Sequence, residues 1–228
     1  MLNTSRTVTT ETTATIRDRY QAIQDEIERN CSLVSRDPAG VTLIAVSKTQ
    51  SIDNVRKLYD LGHRNFGESR LQELIPKAEV LPKDIIWHFI GKLQSNKIRK
   101  ASEICQVIHT IESDSQIREF CKFSKRIDVL IEVNIANEEQ KSGILTKSLD
   151  VFHQSVIQSN LAEFRGLMTI GPIVREAEDS RPYFAEMRRL NEQIGGDWLS
   201  MGMSRDFGVA IQEGATHIRV GTSLFGER

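Results

Sequence analysis

The residues of this chain best placed to do chemistry are one lysine and two short loops. Lys48 follows Val41-Thr-Leu-Ile-Ala-Val46-Ser47, an almost continuously apolar, β-branched run of strand length. Such a run suits a strand covered on both faces. In parallel α/β folds the carboxyl ends of the strands face the ligand, although a solvated lysine closing a strand explains Lys48 as simply. A neutral lysine amine is a nucleophile toward carbonyl carbon. The first loop, Met201-Gly-Met-Ser204-Arg-Asp-Phe207, offers Ser204 as the N-cap of a short helix whose free N–H groups suit an anion. The second, Arg219-Val-Gly221-Thr222-Ser223, offers close backbone approach at Gly221 and N–H and hydroxyl donors at Thr222 and Ser223. Each loop alone reads as an ordinary cap or turn. With Lys48 they favour a phosphate-bearing ligand with an aldehyde.

The elements that must position these residues alternate. The spacing of Ile16, Tyr20, Ile23 and Ile27 predicts a helix over 15–33. Strands are expected at 41–46, 63–66, 85–90, 106–110, 127–135, 164–168, 198–201 and 217–220. Between them the pattern predicts helices after the caps Ser51 and Ser95, and over 69–80, 114–125, 145–159, 177–194 and 207–213. This is the arithmetic of a single-domain (β/α)8 barrel of the TIM type, with an open doubly wound sheet as the competing architecture. In a closed barrel the first and last strands are neighbours, which brings Lys48 beside both loops. The opening helix then takes the ring position that would otherwise follow the last strand.

Composition narrows the classes. The 228 residues suit one large domain over 15–228, and the Thr-rich residues 1–14 read as a tail without the apolar stretch of a secretory signal. Thirty Lys and Arg against 31 Asp and Glu give no field for nucleic acid, and no apolar run is long enough for a membrane helix. Cys31, Cys105 and Cys121 are odd in number and widely spaced, so the reading is a reducing, cytoplasmic compartment and no metal site. A cluster at Lys92, Lys97, Arg99 and Lys100 reads as a solvated helix face. A monomer is the default.

Several motifs in series carry a resemblance: Val46-Ser-Lys48-Thr49, Asn65-Phe-Gly-Glu68, Trp87-His-Phe-Ile-Gly91 with Leu93-Gln-Ser-Asn-Lys97, Val133-Asn-Ile135, Lys141-Ser-Gly143, Arg165-Gly-Leu-Met168, Leu199-Ser-Met-Gly-Met-Ser204 and Arg219-Val-Gly-Thr222. Over residues 40–228 the chain resembles the pyridoxal phosphate homeostasis proteins (the YggS/PROSC family), and Gly166-Leu-Met-Thr-Ile-Gly-Pro172 is most similar to the cyanobacterial members. The resemblance implies a barrel like the N-terminal domain of alanine racemases and pyridoxal 5′-phosphate (PLP) as cofactor. It implies that Lys48 carries PLP as a Schiff base, that Ser204, Gly221 and Thr222 bind its phosphate, and that Arg219 faces the pyridine nitrogen. Ser69, where many members carry Asn, and a longer N-terminal stretch depart from the family pattern.

An arginine cannot take a proton from the ring nitrogen, which leaves the pyridine uncharged and a poorer electron sink. Racemisation would also need an acid/base group opposite Lys48. Fold-type III racemases bring a tyrosine from a second domain; here the sequence runs six residues past Thr222, and Tyr20, Tyr59 and Tyr183 all fall in expected helices. The expectation is therefore a PLP carrier without evident catalysis, acting in vitamin B6 homeostasis and amino-acid and keto-acid balance. Related B6 phosphates are expected competitors, and PLP-dependent apo-enzymes are expected recipients. An amino-acid racemase and an aldolase-like barrel acting directly on a sugar phosphate remain open. Asn65, His88, Asn134, Met168 and Met201 are further candidates for the pocket, each with a structural role as the competing reading. Lys141 is a weaker candidate for a second aldehyde-reactive lysine.

Overall fold

A computed structural model describes residues 14–122, 126–159 and 162–226. The tail expected over 1–14 lies outside these residues except for Ala14, as does the end of the helix expected to reach Lys125. In chain order the elements are α1 (Ile16–Leu33), β1 (Thr42–Val46), α2 (Ile52–Asp60), β2 (Asn65–Glu68), α3 (Leu71–Val80), β3 (Ile86–Phe89), α4 (Ile98–Ile104), β4 (Val107–Ile111) and α5 (Asp114–Phe120). They continue with β5 (Ile127–Asn134), β6 (Ile144–Leu145), α6 (Leu149–Gln158), β7 (Ala162–Met168), α7 (Arg181–Gln193), β8 (Trp198–Met203), α8 (Phe207–Gln212), β9 (His217–Val220) and α9 (Thr222–Phe225).

Eight strands close into a parallel ring, β1-β2-β3-β4-β5-β7-β8-β9 and back to β1. Closure settles the choice between barrel and open sheet: β1 pairs with β9 from Thr42↔His217 to Ala45↔Val220. The two-residue β6 pairs with β5, outside the ring. As expected, α1 packs against α2, α8 and α9, filling the gap left by the short last helix.

Local sequence explains most boundaries. Thr15 and Asp18 form a capping box for α1, and Ser51 accepts a hydrogen bond from Asn54 N at the start of α2. Two expected caps are absent. Ser95 lies inside a 3-10 turn (Ser95–Lys97) and its hydroxyl bonds Ser115 Oγ at 2.7 Å. Asp206, not Ser204, occupies the N-cap position of α8.

The main core lies between strands and helices, with Ile27, Leu58, Phe66, Leu74, Phe89 and Phe184 all buried in one cluster. Each such side chain contributes about 1.5–3 kcal/mol on burial. Inside the ring the packing differs. Val107, Leu130 and Met168 form a small separate cluster with Trp198 against it, and β3, β4, β8 and β9 bury polar groups as well: His88, His109, Ser200, His217 and Arg219. Barrel interiors are usually layered with Val, Ile and Leu, so these polar groups mark where the fold departs from packing alone.

Candidate functional site

At the carboxyl ends of the strands lies a cavity of about 620 Å³, lined among others by Val46, Lys48, Arg219, Ser204, Gly221 and Thr222. The five principal candidate residues thus converge from β1, β8 and β9. Lys48 is exposed, at the tip of a turn that Gln50 N closes on Ser47 O at 3.0 Å. Thr49 holds the left-handed conformation, φ 63°, and its N–H donates to Glu73 Oε2 at 2.5 Å.

A buried ion pair lies directly beneath that turn. Lys77 Nζ donates to Glu68 Oε1 at 2.6 Å and to Ser47 O at 2.7 Å, while Ser47 Oγ donates to the same Glu68 oxygen at 2.7 Å. Glu68 is fully buried, and its Oε2 has no partner among the described residues. Burial pushes the Glu68 carboxyl up, opposed by the hydrogen bonds from Lys77 and Ser47. The strand-one lysine therefore stands on a braced base. Sequence reading missed this brace, because Glu68 and Lys77 fall on different elements and nothing in their spacing couples them.

Ser204 does not cap α8; it bridges to the other loop. Its Oγ accepts from Gly221 N at 3.4 Å and Ser223 N at 3.5 Å, and its carbonyl accepts from Ser223 Oγ at 3.4 Å. These bonds are long, so the amides at the start of α9 retain capacity for a better acceptor. Gly221 adopts φ −118°, which does not require glycine. A Cβ there would sit 3.4 Å from Val46, so the residue keeps that wall of the cavity thin. Gly202 does need its freedom: at φ 88° an added Cβ would lie 2.5 Å from Ala210 Cβ. The pairing of β8 with β9 shifts register there, between Ser200 and Met203, and the strand runs on to Met203 instead of ending at Met201.

Arg219 reaches the cavity from inside the barrel. Its Nη1 donates to Ser200 Oγ at 2.7 Å and its Nη2 to Thr169 O at 2.8 Å. Burial pulls its pKa down to about 10, so it stays charged at neutral pH. Burial pushes the nearby Glu132 carboxyl up to about 7; Glu112 adds to the rise and Arg219 opposes it.

The remaining candidates divide. Asn65 and His88 lie within the barrel, with His88 Nε2 and Asn65 Oδ1 3.1 Å apart, and neither lines the cavity. Asn134 serves its own loop: its Nδ2 donates to Glu138 O and its Oδ1 accepts from Glu138 N. Met168 is in the inner cluster. Met201 packs into the outer core, and Met203 lines the cavity in its place. Lys141 also reaches the cavity wall, its Nζ held by Gly171 O at 3.0 Å and Glu138 at 2.6 Å.

The family model for the N-terminal domain of alanine racemase matches residues 23–228. The pyridoxal phosphate homeostasis protein of Aquifex aeolicus is 38% identical over 222 residues, covering 92% of this chain and 97% of its own. The chain belongs to the pyridoxal phosphate homeostasis proteins, within the alanine racemase N-terminal domain family. The relative of the same description from Synechocystis is 39% identical over 212 residues, covering 86% of this chain and 95% of its own. Among solved structures, PipY of Synechococcus elongatus with PLP bound aligns with TM-score 0.75 and 37% identity, covering 88% of this chain and all of that one. Alanine racemase of Corynebacterium glutamicum aligns over 90% of this chain and 62% of its own, with TM-score 0.69 and 14% identity, a likeness of fold alone.

Proposed function

We propose that this protein binds pyridoxal 5′-phosphate covalently on Lys48 and holds it in vitamin B6 homeostasis without turning over an amino acid. The observation that carries the reading is convergence: Lys48, the donor-only Arg219 and the Ser204–Gly221–Thr222 cradle share one cavity. Among the described residues the cavity's ionisable lining is Lys48, Lys141, Arg175, Arg205 and Arg219 against Asp206, an excess of positive charge that suits a phosphate ester. Asp206 is itself engaged, accepting from Met203 N at 2.7 Å and Ser180 Oγ at 3.2 Å.

When bound, the cofactor supplies an aldehyde and an electron-accepting ring. The chain supplies the rest. The Lys48 amine would be the nucleophile for that aldehyde, with one water released and no change of oxidation state. The amides of Gly221 and Thr222 and the Ser204 hydroxyl would hold the phosphate. Arg219, a donor that cannot accept a proton, would face the ring nitrogen, which favours holding the ring over using it. Two features support a role without turnover. No tyrosine, histidine or glutamate is among the described residues lining the cavity. Tyr20 and Tyr59 are engaged elsewhere, with His63 and Asp84. We place the protein in the cytoplasm as a single-domain monomer of residues 15–228, with other B6 phosphates as competitors and PLP-dependent apo-enzymes as recipients.

The test compares wild type with Lys48→Ala, before and after borohydride. A visible absorption band lost in the variant, with the reduced adduct mapped to Lys48 by mass spectrometry, is the expected result. A protein that stays colourless after incubation with PLP, with no adduct on Lys48, would sink the cofactor reading. Lys48-dependent racemisation of an amino acid would sink the non-catalytic part.

A further inference from the structure

The polar groups inside the ring form one connected line. Arg219 Nη1 donates to Ser200 Oγ at 2.7 Å; Ser200 Oγ and His109 Nδ1 are 3.0 Å apart; His109 Nε2 and His88 Nδ1 are 3.0 Å apart; His88 Nε2 and Asn65 Oδ1 are 3.1 Å apart. The line crosses the interior from β9 through β8, β4 and β3 to β2. The His88, His109, Ser200 and Arg219 members are all buried.

The two ends fix its direction. A guanidinium only donates, so Ser200 Oγ accepts from Arg219. At the far end Asn65 Oδ1 only accepts, so His88 Nε2 carries a proton. A neutral imidazole has one N–H, which makes His88 Nδ1 an acceptor and His109 Nε2 its donor. His109 Nδ1 is then an acceptor, and the Ser200 hydroxyl hydrogen satisfies it. Every gap thus holds one proton and every ring is neutral. Burial holds His88 down to about 3, and burial with His88 and His217 beside it holds His109 well below its usual value. A second proton on His88 would set two N–H groups against each other across 3.0 Å, and one on His109 Nδ1 would displace the Ser200 hydroxyl hydrogen from its acceptor.

We propose that Ser200, His109, His88 and Asn65 are positioning residues: a one-way hydrogen-bond chain that fixes the Arg219 guanidinium and so sets how it meets the ligand ring. The proposal deepens the PLP reading and rests on it for the ligand. A charged arginine anchored in the barrel by neutral dipoles keeps its remaining N–H groups for the cavity. A carboxylate in place of Ser200 would pair with the guanidinium and take both its charge and its orientation. Chains of this kind polarise one another, so a break at His109 is felt at Arg219.

The first arm of the test needs no cofactor. Selective ¹⁵N labelling of the five histidines at pH 7.5, assigned by single replacements, reads each tautomer. His88 and His109 should both be neutral and protonated on Nε2; an Nδ1–H form or an imidazolium at either overturns the chain. The second arm measures PLP affinity and the absorption maximum of the loaded protein in Ser200→Ala, His109→Phe and Ser200→Thr. The first two should bind about tenfold more weakly, the scale of one hydrogen bond to a charged group, with a shifted maximum. Ser200→Thr, which keeps the hydroxyl, should return both toward wild type. Folded Ala and Phe variants with wild-type affinity and spectrum would overturn the positioning role, and if they do not fold the tautomers decide. If wild type takes up no PLP, the cofactor reading fails while the tautomer arm still judges the chain.

Discussion

Replacing Lys77 by Met isolates what the brace under Lys48 contributes. In the native protein the Lys77 and Glu68 side chains are 7% and 0% exposed, 2.6 Å apart, and Lys77 also ties down Ser47 O. Removing the ammonium leaves a fully buried carboxylate with only the Ser47 hydroxyl as partner. Breaking a buried pair in this way costs about 3–5 kcal/mol, which for a chain of this size lowers Tm by roughly 6–20 °C. The loss should depend on pH. Without its partner, Glu68 has a folded pKa still further above its unfolded value, so the native state binds more protons and stability falls as pH rises. The cost is therefore larger at pH 7.5 than at pH 5.5. Lys77→Met with Glu68→Gln removes the stranded charge and should recover most of the stability, because burial without ionisation is far cheaper. Urea denaturation of the three proteins at both pH values measures these differences. A Lys77→Met variant within about 1 kcal/mol of wild type at pH 7.5, or one whose loss is the same at both pH values, would refute the reasoning.

Other outcomes follow from single residues. Burial holds His63 down to about 4 against an ordinary value of 6.5; the unfolded chain takes up that proton first, so stability present above pH 6.5 is lost as pH falls toward 4. His63→Phe should flatten the dependence of Tm on pH in that window, and an unchanged slope would rule His63 out as a source. Glu132 is the opposite case: with its carboxyl raised from 4.5 to about 7, the native state holds the extra proton and stability declines as pH rises from 4.5 to 7. Glu132→Gln should remove that decline, worth at most about 3 kcal/mol at pH 8, as thermal melts across pH would reveal. Gly202→Ala forces a side chain into φ 88° and to within 2.5 Å of Ala210. A loss of about 2 kcal/mol or more, with weaker PLP retention from displacement of Met203 and Ser204, is expected by melting and dialysis; a wild-type melt would contradict it.

The ring was legible because buried parallel strands are written as apolar runs, and such runs place Lys48 and Arg219 to within a residue. Boundaries were less so. The β8 strand passes through Gly202 to Met203 by a register shift, and a glycine there reads equally well as a stop. Ser51 was recognisable as a cap and Ser95 and Ser204 looked alike, yet capping depends on the backbone angles of one residue, which type alone does not fix. Ser204, Gly221 and Thr222 were legible as phosphate-binding candidates from the donors in their two loops and again from the family motifs, with their grouping left to barrel closure. The interior chain was invisible for a different reason. His88 and His109 lie on neighbouring strands and Ser200 on the far side of the ring, so their contact exists only in the closed barrel.

Two buried cations, Lys77 and Arg219, are held in different ways. Lys77 is neutralised within the chain by Glu68, outside the ring, and the pair has no charge left to offer. Arg219 is held instead by a hydroxyl and a backbone carbonyl, Ser200 Oγ and Thr169 O, so its charge persists toward the cavity. Only two of its five N–H groups are spent on those bonds. An all-apolar barrel centre would pack more tightly but could not anchor a guanidinium without leaving donors unpaired, at a cost of about 1–3 kcal/mol each. Neutral histidines resolve the conflict: they accept and donate in sequence, carry the anchoring bonds across the interior and add no countercharge. On the proposed reading a bound ligand would complete the arginine's hydrogen bonding, which would couple occupancy of the site to order in the barrel centre through the same side chain.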